Sequence, residues 1–337
     1  MTKINISILA IEETMAYTLM GPYDVLSAAG YCSQQVASDK PPIVINISIV
    51  GINKGILMCH NGIKIECQKG LDDVNQTDLI IIPSMKLLRG PFFKKYPQLK
   101  EWITGHHKKG AVIASICVGS FLLAETGLLD GKIATTHWAF ADSMAEQFPQ
   151  IAIHNNNIIT EQDNIICAGG GTSWEDLVMY LLEKYSTVDT ANYVGQLFLL
   201  KPHLQGQKPY KQLKSVVTHE DLTIKESQCW IEKHLSETDV LFTTTENSGL
   251  HERTFKRRFK KATKQSPNEY IQNYRIDAAK NLLLTTGCTI KKISERVGLN
   301  DGSYFRRLFK RKTGMTAQNF RQEFSTYHQE KTVLRIS

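Results

Sequence analysis

Cys117 stands at the position in the first half of the chain that is best suited to chemistry. Residues 111–114 are an apolar run typical of a buried strand, and Ile116-Cys117-Val118-Gly119 leads directly into a helical pattern over residues 119–126. A nucleophile at such a strand-to-helix turn, with a small residue two positions later, has the elbow arrangement. This arrangement places the thiol at the carboxyl edge of a sheet, above a helix N-terminus that favours the thiolate. His137 follows a short strand-like run and reaches the same edge.

Several roles are open to these two residues. Cys117 is a working nucleophile, a residue of a ligand pocket in a non-catalytic sensing domain, or a purely structural elbow cysteine. A fourth role, as a redox sensor, needs an exposed thiol of low pKa. His137 is either a pocket residue or a core histidine that bonds a backbone carbonyl.

The remaining histidines, cysteines and glycine runs give weaker signals. Cys59, His60 and Cys67 lack a fourth ligand at tetrahedral-zinc spacing, and the histidine pair at 106–107 lies in a lysine-rich helix end. The glycines at 169–171 fit a tight loop into the next helix, or an anion site at the N-terminus of that helix. The sequence therefore predicts neither a metal site nor a cofactor.

The second half of the chain contains one basic pattern twice. Read from Arg253 the sequence is R-T-F-K-R-R-F-K-K-A-T, and read from Ser303 it is S-Y-F-R-R-L-F-K-R-K-T. An offset of 50 residues superimposes five identical pairs, Phe255 and Phe305, Arg257 and Arg307, Phe259 and Phe309, Lys260 and Lys310, Thr263 and Thr313, and it places Tyr270 on Phe320. Two short basic helices, each with an aromatic pair at i and i+4, indicate a duplicated unit.

The second copy has the pattern of a helix-turn-helix. Thr289 can cap a helix that runs through Val297, Gly298 breaks that helix, and a basic helix follows over residues 301–312. Upstream of the first copy, the segment T-T-T-E-N-S-G is a poor helix former, so the first copy is expected to be less regular there. Between the copies, residues 267–286 read as one amphipathic helix that starts with proline.

The outward-facing residues of the two basic helices have the chemistry of a surface that reads DNA. Arginine suits the O6 and N7 atoms of guanine, and the predicted base-edge residues are Arg253, Arg257, Ser303, Arg306 and Arg307. Lysine suits phosphate, and the predicted phosphate contacts are Lys256, Lys260, Lys261, Lys310 and Lys312. An alternative role for Arg257 and Arg307 is to form interdomain salt bridges.

The charge is distributed unevenly along the chain. Residues 221–337 contain 22 Lys and Arg against 13 Asp and Glu, whereas residues 1–220 contain 18 against 20. The excess positive charge of the chain therefore lies in the half with the repeat, which predicts double-stranded DNA as a partner. No targeting segment is apparent, and no apolar run approaches the roughly 20 residues of a membrane span. Seven cysteines without a C-x-x-C pair indicate the reducing cytoplasm.

The elements that must position these residues follow from periodicity. Short strands alternate with helices in the first half, which predicts an α/β domain with a mostly parallel sheet. A helix is expected to open at Gly21-Pro22. Residues 201–210, with two prolines and a glycine, have the composition of a linker. The predicted organisation is a sensing or dimerising domain over 1–200, a linker over 201–220, an all-α DNA-binding domain over 221–327 and a tail over 328–337.

Two parts of the chain resemble known families. Residues 226–324 resemble the DNA-binding domain of the AraC/XylS family, which has two helix-turn-helix units, through R-T-F-K-R-R-F, S-P-N-E-Y, R-I-D-A-A-K-N-L-L and V-G-L-N-D-G-S-Y-F-R-R-L-F-K-R. Residues 4–185 resemble the PfpI-like, type 1 glutamine-amidotransferase-like superfamily, through G-P-Y-D-V-L, S-I-C-V-G-S, L-A-E-T-G-L-L-D-G-K-I-A-T-T-H-W and A-G-G-G-T-S-W-E-D-L. The combination is similar to the GlxA-like group of regulators, and it implies a flavodoxin-like sheet of the PfpI type.

The resemblance also implies roles for individual residues. Enzymes of the superfamily use a cysteine, a histidine and an acidic residue, and Cys117 and His137 match the first two. The acidic position falls on Thr18, and the backbone-amide pocket falls on Ser84-Met85 where Gly-Gly is usual. The resemblance therefore implies a ligand pocket of Thr18, Ser84, Cys117 and His137 without catalysis.

The expected function is that of a cytoplasmic transcriptional regulator. By the same resemblance it forms a homodimer, responds to an unidentified small-molecule effector, and places its two reader helices in successive major grooves about 34 Å apart. The alternative is a cysteine-dependent amidase or hydrolase-like enzyme at Cys117, with the basic half as an accessory.

Overall fold

The computed structural model describes residues 2–36, 42–214 and 219–325. The chain divides into two compact units between Gln207 and Lys208. The first unit thus includes the beginning of the segment predicted as a linker, whereas residues 328–337 of the predicted tail lie outside the described residues. In the described part of the chain, no helix is both long enough and apolar enough to cross a bilayer.

The first unit is built around a six-stranded sheet. Among the described residues, its strands are β1 (Thr2–Leu9), β2 (Ile43–Val50), β3 (Gly55–Met58), β4 (Lys64–Cys67), β5 (Leu79–Ile82), β6 (Val112–Ile116), β7 (Ile133–Ala134), β8 (Ala152–Ile153), β9 (Ile159–Gln162) and β10 (Ile165–Ala168). The main sheet has the order β2-β1-β5-β6-β10-β9, in which only the edge strand β9 is antiparallel to its neighbour. Every residue of β5, β6 and β10 is buried, as expected for parallel strands covered on both faces.

The helices in the described part of this unit are α1 (Ala16–Gln35), α2 (Phe92–Lys95), α3 (Gln98–Lys108), α4 (Gly119–Glu125), α5 (Ala141–Gln147), α6 (Trp174–Tyr185) and α7 (Val188–Leu197). The predicted flavodoxin-like α/β fold with a mostly parallel sheet is confirmed. The expected start of the first helix at Gly21 is wrong, because α1 begins at Ala16 and contains Pro22. Ala16 and Leu19 are buried in the core, and this tertiary packing extends the helix ahead of the proline.

The second unit consists of helices. They are α8 (Leu222–Lys233), α9 (Val240–Asn247), α10 (Glu252–Thr263), α11 (Pro267–Thr285), α12 (Ile290–Arg296), α13 (Gly302–Thr313) and α14 (Ala317–Phe324). The caps agree with the sequence: Thr289 Oγ1 accepts from Lys292 N–H, and Asp301 accepts from the N–H groups of Ser303 and Tyr304. Two helix-turn-helix units result, α9–α10 and α12–α13, as predicted.

The two copies have the same internal packing. Phe259 contacts Phe255 and Tyr270 with ring centroids 5.5 and 5.2 Å apart. The equivalent contacts of Phe309, with Phe305 and Phe320, are 5.7 and 5.6 Å. The threonines that close the two helices also match, since Thr263 and Thr313 each donate to the phenylalanine carbonyl four residues earlier at 2.8 Å. The sequence repeat is therefore a repeat of packing as well.

The expectation of irregular structure upstream of the first copy is wrong. The threonine-rich segment forms α9, and two of its hydroxyls bond carbonyls one turn earlier: Thr244 to Val240 at 2.5 Å and Thr245 to Leu241 at 2.8 Å. Both threonines are buried, so these bonds satisfy polar groups that would otherwise oppose packing. Tertiary burial outweighs the low helix propensity of threonine.

Candidate functional sites

The strand-to-helix elbow is formed where β6 meets α4. Cys117 has a positive φ of 55°, and its N–H donates to Ala168 O at 2.8 Å, which ties the elbow to the neighbouring strand. A Cβ at Gly119 would lie 2.5 Å from Pro83 O and 2.7 Å from Ile82 O. Only glycine fits at that position, because backbone rather than a movable side chain fills the space.

Three of the four residues proposed for the pocket lie together. Ser84 N–H donates to Thr18 Oγ1 at 3.0 Å, while the Thr18 hydroxyl donates to Met15 O at 2.8 Å. The Ser84 side chain hydrogen-bonds the Cys117 sulfur. All three residues are buried. Thr18 therefore has a structural role at the position where the resemblance implies an acidic residue, and it has no group that could act as a base at neutral pH.

The chemistry of the Cys117 thiol is set by burial. Cys117 is 5% exposed. Burial raises the pKa of this thiol, and the hydrogen bonds from Ser84 and from Val118 N–H, which lower it, only partly oppose that effect. The N-terminus of α4 was predicted to favour the thiolate, but desolvation of the buried thiol is the larger effect on its pKa. The protonated thiol is the stable form at neutral pH.

His137 does not complete a catalytic pair with Cys117. Its Nδ1 accepts a hydrogen bond from Ala139 N–H at 3.1 Å. The ring is therefore held by a backbone amide, whereas the predicted alternative was a bond to a backbone carbonyl. Burial lowers the pKa of His137, which keeps the ring neutral at pH 7. Within the described residues, Cys117 and His137 share neither a hydrogen bond nor an electrostatic interaction.

Two further residues at this site were not identified from the sequence. Burial, and then the neighbouring Cys117, raise the pKa of Tyr17, and a Cβ at Gly171 would overlap the Tyr17 hydroxyl. Gln207 is 2% exposed and places its carboxamide beside the loop that carries His137. No local pattern marks either residue, because Tyr17 precedes an expected helix and Gln207 follows a stretch with linker composition.

Both ends of the Gln207 carboxamide are hydrogen-bonded. Nε2 donates to Thr136 O at 2.8 Å, to Asn157 O at 3.1 Å and to Thr135 Oγ1 at 3.2 Å. Oε1 accepts from Trp138 N–H at 3.0 Å. A Cβ at Gly169 would overlap this amide, so the glycine loop at 169–171 makes room for Gln207. The structure thus favours the tight-loop interpretation of these glycines.

The predicted base-edge residues lie on exposed faces of α10 and α13. This set is Arg253, Arg257, Ser303, Arg306 and Arg307, and all five are exposed. In the described part of the chain, the four arginine side chains form no ion pair. The residue of α10 that does pair is Arg258, which bonds Asp221 through Nη2 at 2.7 Å and Nε at 3.0 Å. Arg257 and Arg307 are therefore available to an external partner.

The predicted phosphate residues differ in availability. Lys260, Lys261 and Lys310 are exposed and make no hydrogen bond or ion pair among the described residues. Lys256 pairs with Glu252 one turn earlier on the same helix. Lys312 lies 3.7 Å from Glu269, and its side chain is 19% exposed. The first three lysines are consequently the better candidates for contacts with phosphate.

A cleft lies beside the second reader helix. It has a volume of about 570 Å³ and is enclosed by α12, α13 and α14. Lys291, Asn300, Arg306 and Gln318 contribute its polar side chains. Arg306 lines this cleft, whereas Arg307 does not. The two arginines therefore have different surroundings, although they are adjacent in sequence.

Comparisons with known proteins agree with this division of the chain. The DJ-1/PfpI family model matches residues 4–184, and a helix-turn-helix domain model matches residues 245–323. The HTH-type transcriptional regulator CdhR of Pseudomonas aeruginosa is 25% identical over 266 residues, which cover 78% of this chain and 77% of CdhR.

Two other similar proteins match the first unit. The isonitrile hydratase of Pseudomonas putida is 27% identical over 192 residues, which cover 57% of this chain and 76% of the hydratase. The crystal structure of DJ-1beta from Drosophila melanogaster aligns with a TM-score of 0.50 and 18% identity, over 60% of this chain and 100% of that one. This structural similarity supports the fold of the first unit.

Proposed function

The chain belongs to the DJ-1/PfpI family and carries an AraC-type helix-turn-helix domain, and from this we propose that it is a sequence-specific DNA-binding transcriptional regulator. The observation that carries the proposal is the duplicated helix-turn-helix, whose reader helices expose unpaired arginines at equivalent positions, Arg257 and Arg307. Relatives such as CdhR are named HTH-type transcriptional regulators. Double-stranded DNA is the partner that matches this chemistry.

The two reader helices divide the recognition of DNA between bases and backbone. The residues that contact base edges are Arg253, Arg257, Ser303 and Arg307. Arg306, which lines the cleft between α12, α13 and α14, also contacts a base edge in the major groove. Lys260, Lys261 and Lys310 contact phosphates, with smaller contributions from Lys256 and Lys312, which have acidic neighbours.

The first unit serves as a non-catalytic sensing or dimerising domain in this proposal. The elbow is kept, but Cys117 is protonated, His137 is bonded elsewhere and Thr18 replaces an acid. The pocket of Thr18, Ser84, Cys117 and His137 then binds an effector molecule without converting it. The chain acts in the cytoplasm as a homodimer, whose two DNA-binding units occupy neighbouring half-sites.

A second candidate function is favoured by one observation, the positive φ of Cys117 at a glycine-supported elbow. In this alternative the first unit is a cysteine-dependent hydrolase- or amidase-like enzyme, or shares the chemistry named for its relative isonitrile hydratase. It requires His137 to reach Cys117. Turnover of an isonitrile or an amide by the wild type, lost in Cys117→Ser, would establish it.

The experiment that tests the regulator is genome-wide DNA binding in the source organism with the wild type and with Cys117→Ala. Discrete sites occupied by both forms support a regulator whose cysteine is not needed for recognition of DNA. The absence of enrichment over background for the wild type would refute the proposal.

Substitutions in α13 then distinguish base contacts from phosphate contacts at one of the genomic binding sites. Arg307→Ala should weaken binding to this site by about 1–3 kcal/mol and leave binding to random DNA nearly unchanged. Lys310→Ala should weaken both equally and reduce the slope of log K against log salt by about 0.9. Lys312→Ala is the comparison variant: because Glu269 lies 3.7 Å from this lysine, the substitution should reduce binding and the salt slope less than Lys310→Ala does. Equal weakening by Arg307→Ala on both DNAs would make Arg307 a phosphate contact.

A further inference from the structure

The segment that ends the first unit is bound to that unit at several points. His203 bonds Asp176 twice, through its N–H at 2.8 Å and through Nδ1 at 2.6 Å. Gln207 N–H donates to Asn156 O at 2.9 Å, in addition to the bonds of its buried carboxamide. Residues 203–207, here called the latch, are therefore part of the fold of the first unit, although their composition is that of a linker.

The latch is linked to the elbow through Thr136. Thr136 Oγ1 donates to Cys117 O at 3.2 Å, and Thr136 O accepts from Gln207 Nε2 at 2.8 Å. The other end of the same carboxamide accepts from the N–H of Trp138, the residue after His137. A molecule that binds at the elbow and bonds Thr136 O or Trp138 N–H competes directly with Gln207.

A few residues after the latch, the backbone of residues 211–214 is hydrogen-bonded to the second unit. Lys280 Nζ donates to Lys211 O at 2.8 Å, and the N–H groups of Leu213 and Lys214 both donate to Asp277 Oδ2 at 2.8 Å. Asp277 and Lys280 lie on α11, the helix that joins the two helix-turn-helix units. Only residues 208–210 separate Gln207 from Lys211, so this connection reaches at most about 14 Å.

We propose that the latch couples occupancy of the elbow pocket to the freedom of the DNA-binding unit. The ring of Tyr210 packs against Phe324 of α14 with centroids 5.2 Å apart, so while Gln207 is bound only residues 208 and 209 connect the two attachment points. A ligand that displaces the carboxamide releases the chain as far as His203, and the connection then includes residues 204–209. The DNA-binding unit gains freedom to reorient without any change in its own reader helices. This inference rests on the functions proposed for both units.

Two variants open the latch in different ways, and each has a matched control. Gly169→Ala places a Cβ where the Gln207 amide lies, whereas at Gly170 the nearest atom to an added Cβ, Gln207 Oε1, is 3.9 Å away. Gln207→Ala removes the carboxamide itself, whereas Gln205 in the same segment is exposed. Gly170→Ala and Gln205→Ala are therefore the controls for Gly169→Ala and Gln207→Ala.

Hydrogen–deuterium exchange of the full chain reports directly on the latch. Exchange of the Gln207 amide in the peptide that contains residues 203–207 should become at least about tenfold faster in Gly169→Ala and Gln207→Ala, because this amide donates to Asn156 O, outside the latch, while the latch is closed. Both controls should exchange at the wild-type rate. Wild-type exchange in Gln207→Ala overturns the proposal. If Gly169→Ala also opens the strands around it, Gln207→Ala is the deciding variant.

Rotational freedom of the second unit is measured with a fluorophore on the exposed Cys229, in a Cys288→Ser background. Opening of the latch should shorten the rotational correlation time of the probe in Gly169→Ala and Gln207→Ala and leave the controls unchanged. Faster exchange with an unchanged correlation time would overturn the coupling between the units. Binding of wild-type protein to genomic DNA tests the proposed regulator separately, so that loss of DNA binding and loss of the latch are distinguishable results.

Discussion

Replacement of Arg275 by methionine tests how the two helix-turn-helix units are held together. Arg275 lies on α11, is 9% exposed, and donates to Leu235 O at 3.0 Å and to Glu237 O at 2.6 Å. A hydrogen bond from a charged donor contributes about 1.5–3 kcal/mol. Burial lowers the pKa of Arg275, because the charged guanidinium loses hydration in the folded chain. Methionine carries no charge, so the substitution removes this unfavourable desolvation and offsets part of the lost hydrogen-bond energy. We expect Arg275→Met to lower the free energy of unfolding of the second unit by about 2–4 kcal/mol.

Hydrogen–deuterium exchange with mass spectrometry is the suitable assay, because it reports on each unit within the full chain. Amides of α8 and α11 that exchange only on unfolding of the second unit should exchange about 30- to 900-fold faster, while exchange in the first unit should stay unchanged. Arg253→Met is the control: this exposed arginine has no hydrogen bond or ion pair among the described residues, so its effect should stay within about 0.5 kcal/mol. A loss below about 1 kcal/mol for Arg275→Met would refute the assignment of Arg275 as the tie between the two copies.

Three further predictions concern single residues. Gly119→Ala should lower the free energy of unfolding of the first unit by about 1–3 kcal/mol, as measured by thermal unfolding, because the new Cβ would lie 2.5 Å from Pro83 O. Gly105→Ala is the control and should have little effect, because no atom lies within 4 Å of an added Cβ there. Alkylation near neutral pH should modify the exposed Cys229 before Cys117, because burial raises the pKa of the Cys117 thiol, and mass spectrometry showing the reverse order would contradict the protonated elbow. Asp221→Asn should make the second unit less sensitive to acid, because Arg258 lowers the pKa of Asp221 in the folded chain. The contribution of this carboxylate is fully present above the unfolded Asp pKa of about 3.9 and is lost as the pH falls through the lower folded value, so identical acid unfolding curves for the two proteins would argue against it.

The duplicated half of the structure could be predicted because its determinants are local. Phe255 and Phe259 are one helical turn apart, and the same spacing at Phe305 and Phe309 fixes which face of each reader helix is buried. The exposure of Arg257 and Arg307 then follows from the same periodicity. The elbow at Cys117 was equally visible, since a buried strand, a nucleophile and a small residue are contiguous in the sequence.

Of the parts that were missed, the docking of Gln207 depends on contacts between distant residues. Gln207 makes its bonds to residues 50 to 72 positions earlier, and nothing in the composition of the segment around it distinguishes a docked chain from a free linker. The bond that holds His137 is local, from Ala139 N–H two residues later, but the spacing of His137 from Cys117 gave no indication of it. The helix α9 was missed because the carbonyls that accept from its threonine hydroxyls come within hydrogen-bonding distance only when the helix has formed.

Helix α11 explains why the two reader helices must act as one body. Its first half contributes Tyr270 and Tyr274 to the core of the first copy, and its second half contributes Ile276, Ala279 and Leu283 to the core of the second. The buried positions of α8 have the same spacing as that second half, so each copy consists of a leading helix, a helix-turn-helix and a closing helix. Because α11 closes the first copy and leads the second, neither core is complete without it. Rotation of one reader helix relative to the other would therefore require α11 to bend near Arg275, where two buried hydrogen bonds oppose it.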